Sequence, residues 1–218
     1  MIHEMRTLES PAGAVSNPAY YEAIVNALSW HRKNLDVGLF QFATEAPVVT
    51  KVATLLIETL RSGHKVLVAG TGGSACEAQH FAAELVGRFK RERSPYAVLS
   101  LTTDTAILTA VANDYGYEDV FARQVLAFGQ PGDLLVAFST SGESENLLRA
   151  AKAAQRRLVT VIAITGGRAS RLECQADMTV RVPVVDTAVT QELHMVLTHV
   201  LCDIVESELA ACEGDASR

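Results

Sequence analysis

An open α/β fold around a five-stranded parallel sheet is what this sequence predicts, and three observations carry the prediction. Short apolar runs recur along the chain, most of them running into Gly, Ser or Thr. Stretches with apolar residues at helical spacing separate them. The composition is 49% hydrophobic but only 6% aromatic, which leaves Ala, Val and Leu to build a layered helix-and-sheet core.

The elements follow in order. Residues 1–17 are polar and end in Pro11, Ala12, Gly13 and Asn17, which reads as a flexible leader. From Pro18 to Arg61 the spacing is helical, with Leu55, Leu56 and Leu60 on one face, a break near Ala46–Pro47 and a stop at Gly63, so two helices are expected. Strands are expected at KVLVAG (65–70), YAVLSL (96–101), DLLVAFS (133–139), LVTVIAIT (158–165) and MTVRVPV (178–184). Helices are expected between them, over 74–90, 105–128, 144–155 and 168–174, with a last one from Val189 to Ala211. Regular alternation of strand and helix calls for a doubly wound sheet covered on both faces. One domain over 18–212 is expected, followed by a loose tail, 213–218.

The totals exclude several function classes. A net charge of −6 argues against general nucleic-acid binding, which needs a basic surface. Cys76, Cys174, Cys202 and Cys212 form no CxxC pair, so neither a disulfide framework nor a cysteine metal site is indicated. No apolar run reaches the roughly 18 residues of a membrane span, and the N-terminal residues lack the apolar stretch of a signal peptide. A cytoplasmic protein is the expectation.

In open α/β sheets ligands bind beyond the carboxyl ends of the strands. Two loops rich in small hydroxylated residues fall there, AGTGGSA (69–75) and STSGESE (139–145). Their glycines allow close approach, and N–H groups at a helix start favour an anion, with Ser139, Thr140, Ser141 and Ser144 adding hydroxyl donors. Either loop alone is also an ordinary tight connection with a serine cap. Neither nucleotide fingerprint, GxGxxG or GxxxxGK[ST], is present. On the next helix His80 and Glu84, four apart, share a face that Arg88 would continue. On the last helix Gln191 and His199 lie on the same half, with Glu192 and His194 beside them. Such a set suits a divalent metal or an acid/base pair, but an i,i+4 surface pair and a structural histidine fit as well. The basic stretch Arg88, Lys90, Arg91, Arg93 reads as a solvated helix end.

At these residues the chain resembles a known family. GTGGSACEAQHFAAELVGRF, LTAVANDYGYEDVFARQ, STSGESEN and TQELHMVLTH are similar, in this order, to motifs of the phosphoheptose isomerases, a branch of the SIS (sugar isomerase) family, over roughly residues 20–210. The resemblance implies a homotetramer with active sites between subunits, and isomerisation of sedoheptulose 7-phosphate through an enediol. It implies one zinc ion per subunit on His80, Glu84, Gln191 and His199, with Glu84 and His199 as base and acid. Substrate contacts are implied for Thr71, Gly72, Gly73, Ser74, Glu84, Arg88, Asn113, Asp114, Ser139, Thr140, Ser141, Ser144 and Gln191. One departure is visible. Thr71 stands where the family's glycine turn has Asn, which removes an amide donor and leaves the product's C2 configuration, manno or altro, open. The family also holds non-catalytic tetrameric regulators that associate with a replication initiator. The stretches LTAVAND and LCDIVE fit either branch, whereas the complete set of His80, Glu84, Gln191 and His199 fits the enzymes.

Overall fold

The computed structural model of the chain describes residues 17–216, the side chains of 212–216 excepted. The expected leader lies outside the described residues apart from Asn17, as do the last two residues of the expected tail.

The strands are β1 (Val66–Gly70), β2 (Val98–Ser100), β3 (Leu134–Ser139), β4 (Thr160–Thr165) and β5 (Met178–Arg181). All pair in parallel, in the order β2-β1-β3-β4-β5. The helices are α1 (Pro18–Phe42), α2 (Ala46–Arg61), α3 (Gly73–Val86), α4 (Thr105–Tyr115), α5 (Ala122–Phe128), α6 (Glu145–Arg156) and α7 (Thr187–Ala216). Because side chains alternate along a strand, the continuous apolar runs supply two cores. Val66, Val68, Val136, Phe138 and Ile162 pack under α2, α3 and α7. Leu67, Ala69, Leu135, Ala137 and Val161 pack under α4, α5 and α6. Chain reversals put the starts of α3 and α6 at the carboxyl ends of β1 and β3, which are neighbours in the sheet.

Four expected elements are corrected. The helix expected to reach residue 90 ends at Val86, because Gly87 leaves helical geometry at ψ −110°. The helix expected over 105–128 is broken at Gly116, whose φ of +94° is glycine territory. A 3₁₀ turn, Tyr117–Asp119, then leads into α5. Residues 168–174 are not a helix: Gly166, Gly167 and Leu172 donate backbone hydrogen bonds to Thr140, Val184 and Gly142, which pins the segment to the neighbouring loops. The last helix starts two residues early and its backbone runs on to Ala216, through part of the expected tail.

Helix α1 is capped by Asn17, whose Oδ1 accepts from the N–H groups of Ala19 and Tyr20, with Pro18 at the first helical position. Only Gly38 of this helix is buried, where it meets Leu193 of α7. Phe40, Tyr20 and Leu28 are 82%, 70% and 65% exposed. No helix among the described residues is long and apolar enough to cross a membrane.

Candidate active site

Helices α3 and α7 lie side by side and run the same way, so contacts climb both together. Gln191 meets Gly73, His194 meets Glu77, His199 meets His80, and Glu206 meets the residues just past α3. At 1.5 Å rise per residue, Gln191 and His199 are about 12 Å apart along α7. Sharing a helix face therefore does not bring them together. The carboxamide of Gln191 fills the space where a Cβ on Gly73 would sit. Its carboxamide thus lies beside the glycine turn.

That cluster is compact. His80 Nε2 lies 3.0 Å from His199 Nε2 and 3.2 Å from a Glu84 carboxylate oxygen. One ring nitrogen from each histidine and one carboxylate oxygen of Glu84 all fall within 4.8 Å of one another, and all three residues are half-buried. Both imidazoles aim Nε2 at the same point, so they can share one proton or jointly present lone pairs to a cation. The Phe89 ring stacks on His199, with centroids 5.5 Å apart and planes 14° from parallel. Below the cluster, fully buried His194 is held between Glu77 (3.4 Å) and the carbonyl of Thr165 (3.3 Å). Nearby Cys202 has its thiol pushed up to about 12, by burial first and then by the negative charges of Glu84 and Glu206.

The two loops converge as the topology demands. In the first, Gly72 has φ +64° and opens α3, and Ser74 is buried. The Thr71 hydroxyl lies 3.2 Å from the amide nitrogen of Asn146 in the first turn of α6, so the glycine turn is tied to the second loop. In that loop the Ser139 hydroxyl accepts from the N–H of Gly142, which has φ +65°, and the Ser141 hydroxyl accepts from the N–H of Glu143. Ser144 stands at the N-cap of α6, yet its hydroxyl makes no capping bond. Beside the loop is a cavity of about 230 Å³ lined by Thr140, Ser141, Glu143, Arg168 and Thr187 among others.

Three expected contacts stay apart from these groups in the single chain. Arg88 lies past the end of α3, so it does not continue the His80–Glu84 stripe; its side chain is 61% exposed and reaches only Glu92, at 3.8 Å. Asn113 and Asp114 are exposed on the last turn of α4 and bond to each other.

The basic stretch is not a solvated helix end. Lys90 and Arg91 pair with Asp203, and Arg93 is buried. At the centre is Glu206, which sequence reasoning missed. Its carboxylate accepts from the backbone N–H groups of Phe89 (2.8 Å), Lys90 (2.7 Å) and Arg91 (3.0 Å), with Arg93 Nε at 3.4 Å. Burial alone would raise this carboxyl, but the three N–H donors and Arg93 outweigh it and hold it below the usual glutamate range. A lone glutamate on a helix gives no sequence signal, because its partners lie more than a hundred residues away. Asn146 and Arg168 were missed as well; Asn146 at least stands inside the recognised STSGESEN stretch.

Comparison with known proteins bears on the family. The family model described as the SIS domain matches residues 33–166. A phosphoheptose isomerase of Thiobacillus denitrificans is 50% identical over 172 residues, 77% of this chain and 87% of that protein. One from Roseiflexus sp. is 46% identical over 176 residues, 81% of this chain and 89% of the relative. Among solved structures, a phosphoheptose isomerase from Francisella tularensis superposes with a TM-score of 0.81 at 36% identity, covering 84% of this chain and 98% of that one. Another, from Neisseria gonorrhoeae, gives 0.78 at 37%, covering 86% and 99%. With fold, sequence and near full-length coverage in agreement, the chain belongs to the SIS domain family, among its phosphoheptose isomerases.

Proposed function

We propose that the protein isomerises sedoheptulose 7-phosphate to a D-glycero-heptose 7-phosphate in the cytoplasm, with manno as the expected product and altro as the alternative left open by Thr71. One observation carries the reading: His80, Glu84 and His199 converge on one point between α3 and α7, about two to three turns along from the carboxyl edge of the sheet. The loops at that edge offer hydroxyls and a helix start to an anion that the cluster of another copy would meet. The Glu84 carboxylate takes a proton from C1 of the ketose while His199 supplies one to the C2 carbonyl oxygen. The enediol collapses when a proton returns to C2 and the O1 proton leaves, so the exchange is balanced with no net redox change. The Thr140 and Ser144 hydroxyls and the N–H groups at the start of α6 hold the phosphate, fixing the carbon chain so that proton transfer is effectively intramolecular.

The His80, Glu84 and His199 donors suit a divalent ion such as zinc, one per subunit. When bound, it supplies polarisation of the substrate carbonyl. Gln191 would complete that set as the resemblance implies; its carboxamide here lies against Gly73, about two turns along α7 from His199. A homotetramer is the assembly we propose. The exposed apolar residues of α1 support it.

The test is incubation with sedoheptulose 7-phosphate, followed by NMR of the anomeric signals with and without a chelator. A new aldoheptose phosphate, lost on chelation and restored by zinc, is expected, and its coupling pattern assigns C2. No conversion even with added zinc would overturn the reading in favour of a non-catalytic binding module.

A further inference from the structure

We propose that Phe89, clamped by Glu206 and Arg93, is a positioning residue that fixes the His199 imidazole relative to Glu84. The kinetic part of the inference rests on the isomerase reading above; the geometric part does not.

Once α3 ends at Gly87, three consecutive backbone N–H groups turn onto one carboxylate: Phe89 on Oε1 of Glu206, Lys90 and Arg91 on Oε2. A carboxylate accepting several N–H bonds in a dry site is a stiff anchor. It fixes the backbone of residue 89 and so presents the Phe89 ring flat against His199. The same node reaches the other partner. Arg93, whose side chain is 1% exposed, sets Nε beside Glu206 and donates through its terminal nitrogens to the carbonyls of Glu84 (2.9 Å) and Gly87 (2.8 Å). The last turn of α3, which carries Glu84, and the ring that backs His199 are thus held by one buried ion pair. Phe89 also packs against the core under α3 and α7, so a merely structural role would register in Tm, whereas the stacking on His199 would register in kcat and Co(II) affinity. The stacked geometry is what assigns Phe89 a part in the chemistry.

The experiment compares Phe89→Leu, Phe89→Tyr, Glu206→Gln and the Phe89→Leu/Glu206→Gln double variant of the full chain. The readouts are kcat and KM on sedoheptulose 7-phosphate, Co(II) affinity of the metal-free protein by visible absorbance, and Tm. Phe89→Leu should lower kcat about tenfold, since small misplacements of a reacting group are costly. KM should stay within about twofold, Co(II) affinity should weaken about tenfold, and Tm should shift by less than about 3 °C. Phe89→Tyr should restore both kcat and Co(II) affinity. The double variant should be no worse than its worse parent, as expected for residues acting through one device. Wild-type values of both readouts in Phe89→Leu, or a Tyr variant as impaired as the Leu one, would overturn the proposal. A wild type that turns over no substrate, with Co(II) affinity still dependent on the ring at 89, would sink the isomerase reading and uphold the positioning role. No turnover and no dependence on residue 89 would remove both. Should Glu206→Gln fail to fold, the two Phe89 variants decide alone.

Discussion

Replacing Glu206 by Ala tests how much of the fold hangs on one carboxylate. The substitution removes the acceptor of three backbone N–H bonds and the carboxylate beside Arg93, leaving a guanidinium with its side chain 1% exposed that keeps its backbone carbonyls but loses its counter-charge. Breaking a buried pair from one side typically costs about 3–5 kcal/mol, because the stranded charge stays desolvated. A chain of this length loses about 2–4 °C of Tm per kcal/mol, so a drop of about 6–20 °C is expected. Urea denaturation and calorimetry at one fixed protein concentration give the two numbers independently. The charge origin is tested by pH. The folded Glu206 carboxyl sits below its unfolded value, so its stabilisation is complete above the ordinary glutamate range and is lost as pH falls through the lower folded value. Arg93 and Arg91 face it, and the thiol of nearby Cys202 is pushed up out of that window. Asp133, where burial pushes up but Lys65 holds the carboxyl low, lies outside this cluster and cancels from the difference. Asp203, held low by Lys90 and Arg91, belongs to the segment that Glu206 fixes, so any loss of its hold in the variant moves the gap the same way. The gap between wild type and Glu206→Ala should therefore shrink in acid. A loss under about 1 kcal/mol, or a gap unchanged between neutral pH and pH 3, would refute the reasoning.

Other outcomes follow from the same coordinates. Glu84→Gln and His199→Ala should each reduce kcat by roughly 100- to 10,000-fold with Tm little changed, and near-normal turnover in either would remove the base and acid roles. Thr71→Val deletes the hydroxyl that meets buried Asn146, leaving its amide unpaired; a loss of about 1–3 kcal/mol in urea denaturation checks this. With its thiol pushed up to about 12, Cys202 should escape iodoacetamide at pH 8 while exposed Cys76 and Cys174 are labelled. Peptide mass spectrometry decides that case, and rapid native labelling of Cys202 would contradict the burial.

What the sequence disclosed was whatever local pattern controls. The central strands β1, β3 and β4 were readable as apolar runs because a parallel strand buried on both faces has no polar alternation to confuse it. The Gly/Ser/Thr loops were readable because the backbone conformations at Gly72 and Gly142 demand glycine. The failures share the opposite cause. Periodicity carried the third helix through to residue 90, but Gly87 and the capture of the next N–H groups by Glu206 ended it sooner. Residues 105–128 read as one helix until Gly116, where a positive φ breaks it. Asn146, Phe89 and Glu206 act through partners distant in sequence, and no spacing rule reaches those.

The seam between α3 and α7 explains why buried charge is placed so close to the reacting groups. Two apolar helix faces of this kind could slide past one another by a turn, about 5.4 Å, and still bury similar area. A turn of slippage would carry His199 away from His80 and Glu84 altogether. The seam is instead pinned on both sides of that contact, by Glu77 with His194 below it and by Glu206 with the Phe89–Arg93 segment above. Either slipped register strands a buried carboxylate, which apolar packing would not penalise. Both pins are fully or almost fully buried, whereas the His80–Glu84–His199 contact between them is half-exposed. The rigid groups thus set the register, and the groups they bracket remain open to substrate.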